Sequence, residues 1–266
     1  MKKTIFLFSL LFACTYLYAA QSITGIIGKM ESRRGYWTSF HGFLRMNFST
    51  PQGKTADCRA EIYYNRLEEQ IILKGFRDNQ ELLFIFQTDD RDFKLYLPKQ
   101  KTEYLGTIFD LEDSPDIHSH LKALDLYRAL KPWLIREDNT SAEESSKGLT
   151  LLKIQGSRGQ QRQVWINTQG DVLKEEYGAN GKLKTIVERS EFKKISPEGK
   201  EKFYYPFNIT IKNATESGVK QTSLIFESVD FDAENKSKFS EFKVPEGTPA
   251  FDVSSEFKKQ EALASS

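Results

Sequence analysis

The sequence has few of the residues that usually carry chemistry. Its 266 residues include two cysteines, three histidines and three tryptophans. No phosphate-binding glycine loop, dinucleotide glycine fingerprint, nucleophile elbow or Cys-x-x-Cys pair occurs, so the common nucleotide, hydrolase and thiol-redox signatures are missing. Excess charge is missing as well. Against 38 Lys plus Arg stand 37 Asp plus Glu, and the basic footprint of a nucleic-acid binder is not present. Long apolar runs are confined to the N-terminus, where uncharged sequence extends from Thr4 to Gly28. Gln21, Ser22, Thr24, Gly25 and Gly28 dilute its second half, whereas a membrane-spanning helix needs about 20 predominantly apolar residues.

That N-terminus has the layout of a secretory signal. Lys2 and Lys3 form a basic region, Thr4 to Ala13 an apolar one, and Ala19 and Ala20 a small-residue cleavage site. Cleavage after Ala19 or Ala20 would export the protein to the periplasm. A second reading is open, because Leu11-Phe-Ala-Cys14 resembles a lipobox, and lipidation at Cys14 would anchor the chain to the outer membrane. If Cys14 leaves with the signal, Cys58 has no partner for an intramolecular disulfide.

What the sequence does have is alternation. Between Thr38 and Gly106 lie six segments with a period of two, separated by turn formers at 50–53, 77–79 and 89–92. Leu44, Met46 and Phe48 share one face of the first, and Ala56, Cys58, Ala60, Ile62 and Tyr64 one face of the second. Phe93, Leu95 and Leu97 share one face of the fifth. Before this meander, Ile23, Ile26, Ile27 and Met30 fall on one stripe of a helix ending near Gly35. After it, Ala123, Leu126, Tyr127, Leu130, Trp133 and Leu134 define the stripe of a helix spanning Ser119–Lys131, with Pro132 as its terminator. The segment 137–148 (EDNTSAEESSKG) is polar and aperiodic and reads as a surface loop. Hairpin strands then follow to Phe231, with a closing segment around Phe239, Phe242 and Val244.

The expected fold is mainly β with α: a half-open antiparallel barrel of about eleven strands with helices covering its concave face. The expected organisation is a signal over 1–20, a half-barrel domain over 21–253 and a flexible tail over 254–266.

Candidate polar sites are weak. His118 and His120 beside Glu112, Asp113 and Asp116 are explained by a solvated helix N-terminus, and no third His or Cys makes them a metal site. Asp89, Asp90 and Asp92 sit between two strong strands, where Asp stabilises a turn. Neither catalysis, a metal nor a cofactor is expected. An apolar concavity suits acyl chains instead, each buried methylene contributing about 0.8 kcal/mol. By alternation its lining is Leu44, Met46, Phe48, Ile62, Tyr64, Phe93 and Leu95 from the strands, with Leu126, Leu130 and Trp133 from the helix.

The order of elements resembles the LolA/LolB lipoprotein-carrier superfamily across Ile23 to Val253. The likeness is carried by Ser39-Phe-His-Gly-Phe43 opening the meander and by Ile27-Gly-Lys-Met-Glu-Ser-Arg-Arg34. Phe93-Lys-Leu-Tyr-Leu-Pro98, Val164-Trp-Ile-Asn-Thr-Gln-Gly170 and the closing Phe242-Lys-Val-Pro-Glu-Gly247 carry it further. The resemblance implies a monomeric periplasmic chaperone that shields lipoprotein acyl chains, or another lipid, between membrane-protein donor and acceptor. An arginine near the start of the third strand latches the lid in that family. The matching position is Arg66, followed here by Leu67 where the carrier has proline. The alternative is an outer-membrane-anchored acceptor, or a lipid-sensing protein that binds a protein partner.

Overall fold

The computed structural model describes residues 23–89, 91–107, 123–131, 140–145, 148–156, 159–197, 201–232 and 244–253. Helix α1 (Ile23–Arg34) precedes the strands β1 (Ser39–Ser49), β2 (Thr55–Asn65), β3 (Gln70–Phe76), β4 (Leu82–Thr88), β5 (Asp92–Leu97) and β6 (Thr102–Thr107). Helix α2 (Ala123–Leu130) interrupts the β-structure. There follow β7 (Thr140–Ser145), β8 (Leu149–Gln155), β9 (Gln160–Ile166), β10 (Val172–Ala179), β11 (Lys182–Ile195), β12 (Phe203–Thr215), β13 (Gly218–Phe231) and β14 (Ala250–Asp252).

All fourteen strands form one unclosed sheet in the order β14-β6-β5-β4-β3-β2-β1-β13-β12-β11-β10-β9-β8-β7. Two meanders, β1–β6 and β7–β13, are joined where β1 pairs antiparallel with β13. The one parallel pair among these is β14 with β6. This is the expected half-open barrel, with fourteen strands among the described residues where about eleven were expected.

The turns form where the sequence places turn chemistry. Asp89 accepts the Asp92 amide through Oδ1 at 2.9 Å, closing the β4–β5 turn. Asn180 and Gly181 take φ of 52° and 74°, the left-handed pair that a two-residue hairpin needs. Gly75 is required by close approach: a Cβ there would lie 2.2 Å from the Phe84 ring. The β7 edge corrects the reading of 137–148 as a loop. Thr140 to Ser145 pair residue for residue with β8, and Ala142 packs against the α1 cluster. A polar, half-exposed edge strand carries too little apolar alternation to announce itself.

We call the face that receives both helices the inner face. On it, α1 buries Ile26 and Met30 against Leu152, Val164, Ile166 and Val172, as its stripe predicts. Under α2 lies the main core, which includes Phe40, Leu44, Met46, Ile62, Tyr64, Phe86 and Phe93. The outer face of β2–β5 holds a smaller cluster of Tyr63, Ile72, Ile85 and Tyr96, against which Val244 of the closing segment packs. The signal, Cys14, His118, His120, Trp133, Phe239, Phe242 and the tail lie outside the described residues.

Candidate functional site

Strand pairing sets the inner face of the second meander. Leu152, Val164, Glu175, Val187 and Ile211 are successive partners across β8 to β12, so a glutamate stands in the middle of an apolar row. The next row on the same face runs Ile154, Arg162, Tyr177, Thr185 and Asn213. Arg189 pairs with Ile209 and extends the row that holds Leu224, Met46 and Cys58.

These polar groups are buried and joined. The side chain of Glu175 is 0% exposed. Its Oε2 accepts from Arg162 Nε and Nη2 at 2.9 and 2.6 Å and from the Tyr177 hydroxyl at 2.6 Å. Its Oε1 faces Arg189 Nη2 at 2.7 Å. Burial alone would raise the Glu175 pKa. The Arg162 and Arg189 charges and the donated hydrogen bonds outweigh it, and the carboxyl is held below its ordinary value.

Helix α2 is tied into this network. Asn213 Nδ2 donates to the Asp125 carboxylate at 2.8 Å, and the Thr185 hydroxyl, 3.3 Å from the same carboxylate, donates to Asn213 Oδ1 at 2.8 Å. Arg189 Nη2 donates to the Ala129 carbonyl at 2.8 Å, placing a cation at the helix C-terminus, where the macrodipole favours one. The Arg128 guanidinium lies 4.4 Å above the Tyr177 ring. At the end of the helix Lys131, its side chain fully buried, donates to Glu69 Oε2 and to the Glu69 carbonyl at 2.9 and 3.1 Å. Leu126, Ala129 and Leu130 fill the space beneath. The helix is thus a buried plug, packed on the core through Leu126, Ala129 and Leu130 and tied to the sheet at polar points.

Beside the plug is a cavity of about 90 Å³ between α1, α2 and β10–β12. Met30, Trp37, Leu130, Phe203 and Ile209 give it apolar walls, and Arg189 and Asp171 its charged ones. Burial raises the pKa of the Tyr205 phenol, so that part of the wall stays neutral. Tyr204, 41% exposed, also lines the cavity and marks the end that meets solvent.

Of the expected lining residues that are described, Leu130 borders this cavity. Leu44, Met46, Ile62, Tyr64, Phe93, Leu95 and Leu126 are buried against one another, and Phe48 packs on them. The first meander is filled by its own aromatics, and the space lies on the second. Phe203 and Ile209 stand on β12, whose alternation did not enter the expected lining, and Trp37 stands just before β1, outside any strand. Arg66 donates through Nε to the Trp37 carbonyl at 2.9 Å. The same β2–β3 turn does reach the helix, but through Glu69. Cys58 is a buried thiol whose pKa is pushed up to about 11, first by burial and then by Asp57. No group of three His, Cys, Asp or Glu able to hold a metal ion occurs among the described residues.

No family model matches the chain. No curated protein matches it either. Solved structures do. A domain assigned to outer membrane lipoprotein sorting, from Vibrio parahaemolyticus, is 14% identical, with a TM-score of 0.56 over 80% of this chain and 94% of that one. A LolA-superfamily protein from Nitrosomonas europaea is 14% identical, with a TM-score of 0.51 over 80% and 95%. A DUF1329-family protein from Desulfovibrio piger is 11% identical, with a TM-score of 0.54 over 80% and 95%. The unclosed sheet with its inner plug is therefore the LolA-type half-open barrel fold.

Proposed function

We propose that the protein is a non-enzymatic carrier or chaperone that binds acyl chains between the inner face of the sheet and helix α2, in the periplasm after loss of residues 1–20. The observation that carries this reading is the construction of α2. A helix of eight residues fills the mouth of an apolar core yet is fastened by Asp125, Lys131 and the carbonyls of its last turn. Polar fastenings can be exchanged for water as the helix withdraws, leaving the apolar face to a chain.

The cavity of about 90 Å³ is smaller than the ~300–1,000 Å³ of ordinary ligand sites, so uptake requires α2 to move. In this mechanism α2 leaves, the chain enters along Leu130, Phe203 and Ile209, and the cargo passes between a membrane donor and an acceptor without covalent chemistry. The half-barrel over 21–253 acts as one monomeric unit in this reading.

Native mass spectrometry and lipid extraction of the mature protein, prepared without detergent, test the reading. Co-purifying lipid or acylated peptide that is lost in a folded Leu130→Asp variant is the expected result. A bare protein mass with no uptake of a fluorescent acyl probe overturns it.

A further inference from the structure

Arg189 is more than a tether for α2. Its side chain is 2% exposed and borders the cavity. Nη2 donates to the Ala129 carbonyl and forms an ion pair with Glu175 Oε1, but Nε and Nη1 are buried without a hydrogen-bond acceptor among the described residues. Buried guanidinium donors without acceptors are costly and rarely left so. Glu175 does not meet these two donors: its Oε2 already accepts three bonds from Arg162 and Tyr177, and its Oε1, itself without a hydrogen bond among the described residues, faces Nη2. Asp171, the other charged wall of the cavity, has its Oδ2 engaged by Asn167 Nδ2 at 2.9 Å.

We propose that the ligand of this cavity is an anionic amphiphile, whose head-group oxygens are received by Arg189 while its chain lies along Leu130, Phe203 and Ile209. The inference rests on the acyl-binding reading above and narrows it to a class of ligand. A carboxylate or phosphate suits the position better than a neutral ester. An ester brings only its dipole to a guanidinium, whereas an anion adds the attraction of opposite charges out of water, and two guanidiniums here share a single glutamate. Nε and Nη1 lie on different edges of the guanidinium, so separate oxygens are needed, which an anionic head with a bound water supplies. As α2 withdraws, the Ala129 carbonyl leaves Nη2 and frees a third donor for the same head.

Calorimetric titration of the full mature chain with dodecanoate, dodecyl phosphate and methyl dodecanoate at pH 8 tests this. The anions are expected to bind at least ~10-fold more tightly than the ester, and Arg189→Leu to bring that ratio toward one. Arg189→Lys keeps the charge without the fork and should retain part of the preference. Dodecanoate and dodecyl phosphate separate a fatty carboxylate from a phospholipid-type head. Equal affinity of the wild-type protein for ester and anions overturns the assignment to Arg189 while leaving acyl binding intact. Binding of none of the three overturns both. The comparison among ligands uses the wild-type chain, so it stands even if the leucine variant fails to fold.

Discussion

From β1 to β5 the inner face is built of Leu44, Met46, Ile62, Tyr64, Ile71, Phe86 and Phe93, all nearly or wholly inaccessible to solvent. From β9 to β12 the same face carries Arg162, Glu175, Tyr177, Thr185, Arg189 and Asn213 among the aliphatic residues. Hydrophobic burial holds the first region and is indifferent to direction. The second is held by groups that need particular partners at particular distances. It is there that α2 is fastened and the cavity lies. In the proposed mechanism this region releases and retakes a helix, which bonds with a few discrete partners allow better than a close-packed interior, whose every rearrangement opens a void.

The strongest way to break this contrast is Glu175→Gln. It leaves two guanidiniums facing one neutral amide, and destabilisation of about 3–5 kcal/mol is expected in denaturant titrations. Met46→Ala in the apolar region should cost a comparable ~2–5 kcal/mol. pH distinguishes them. The Glu175 carboxyl is held below its ordinary value of 4.5, so its contribution is complete above that pH and is lost as pH falls through the lower folded value. The penalty of Glu175→Gln should therefore shrink in acid, while that of Met46→Ala stays constant. Equal pH dependence of the two would remove the distinction between the regions.

Asp125→Ala addresses the fastening itself. Asn213 Nδ2 loses its acceptor on α2, at an expected cost of about 1–3 kcal/mol. Uptake of an acyl probe should become faster in stopped-flow measurements, because the closed position of the helix is weakened more than the core beneath it. Slower uptake with unchanged stability would show that Asp125 does not hold the plug.

The contrast also explains what the sequence could tell. The first meander was legible nearly to the residue: alternation placed Leu44, Met46, Ile62, Tyr64, Phe93 and Leu95 on one face, and the structure buries them there together. The α1 stripe and the turns at 50–53, 77–79 and 89–92 were equally plain. The polar region was not. In VLKEEYGA, Glu175 reads as one charge among several on a solvent face, because alternation reports hydrophobicity and not burial. Only the strand register shows that Glu175 shares a row with Val164 and Val187. The cavity was missed for the same reason, since its charged wall is Arg189. In the β2–β3 turn that carries Arg66, Glu69 at a φ of 51° meets Lys131, a contact that no alternation in the sequence announces.

Gly75 sharpens the comparison on the apolar side. Because a Cβ would meet the Phe84 ring at 2.2 Å, Gly75→Ala must displace an aromatic in a region with no slack. Overpacking of this kind costs about 1–3 kcal/mol, to be read as a lower Tm with unchanged acyl uptake on the other meander. The smallest effect belongs to neither interior. Arg77 and Glu81 pair at 2.8 Å across the β3–β4 turn, with side chains 55% and 44% exposed. Water and salt screen such a pair, and holding it ordered costs side-chain entropy. Arg77→Ala should change stability by less than about 0.5 kcal/mol, and 1 M salt should abolish even that. Glu175 and Arg162 form a contact of similar length out of water, at 2.6 Å. An Arg77 effect as large as that of Glu175→Gln would mean that burial does not set the strength of these ion pairs, and the argument for the polar region would fail with it.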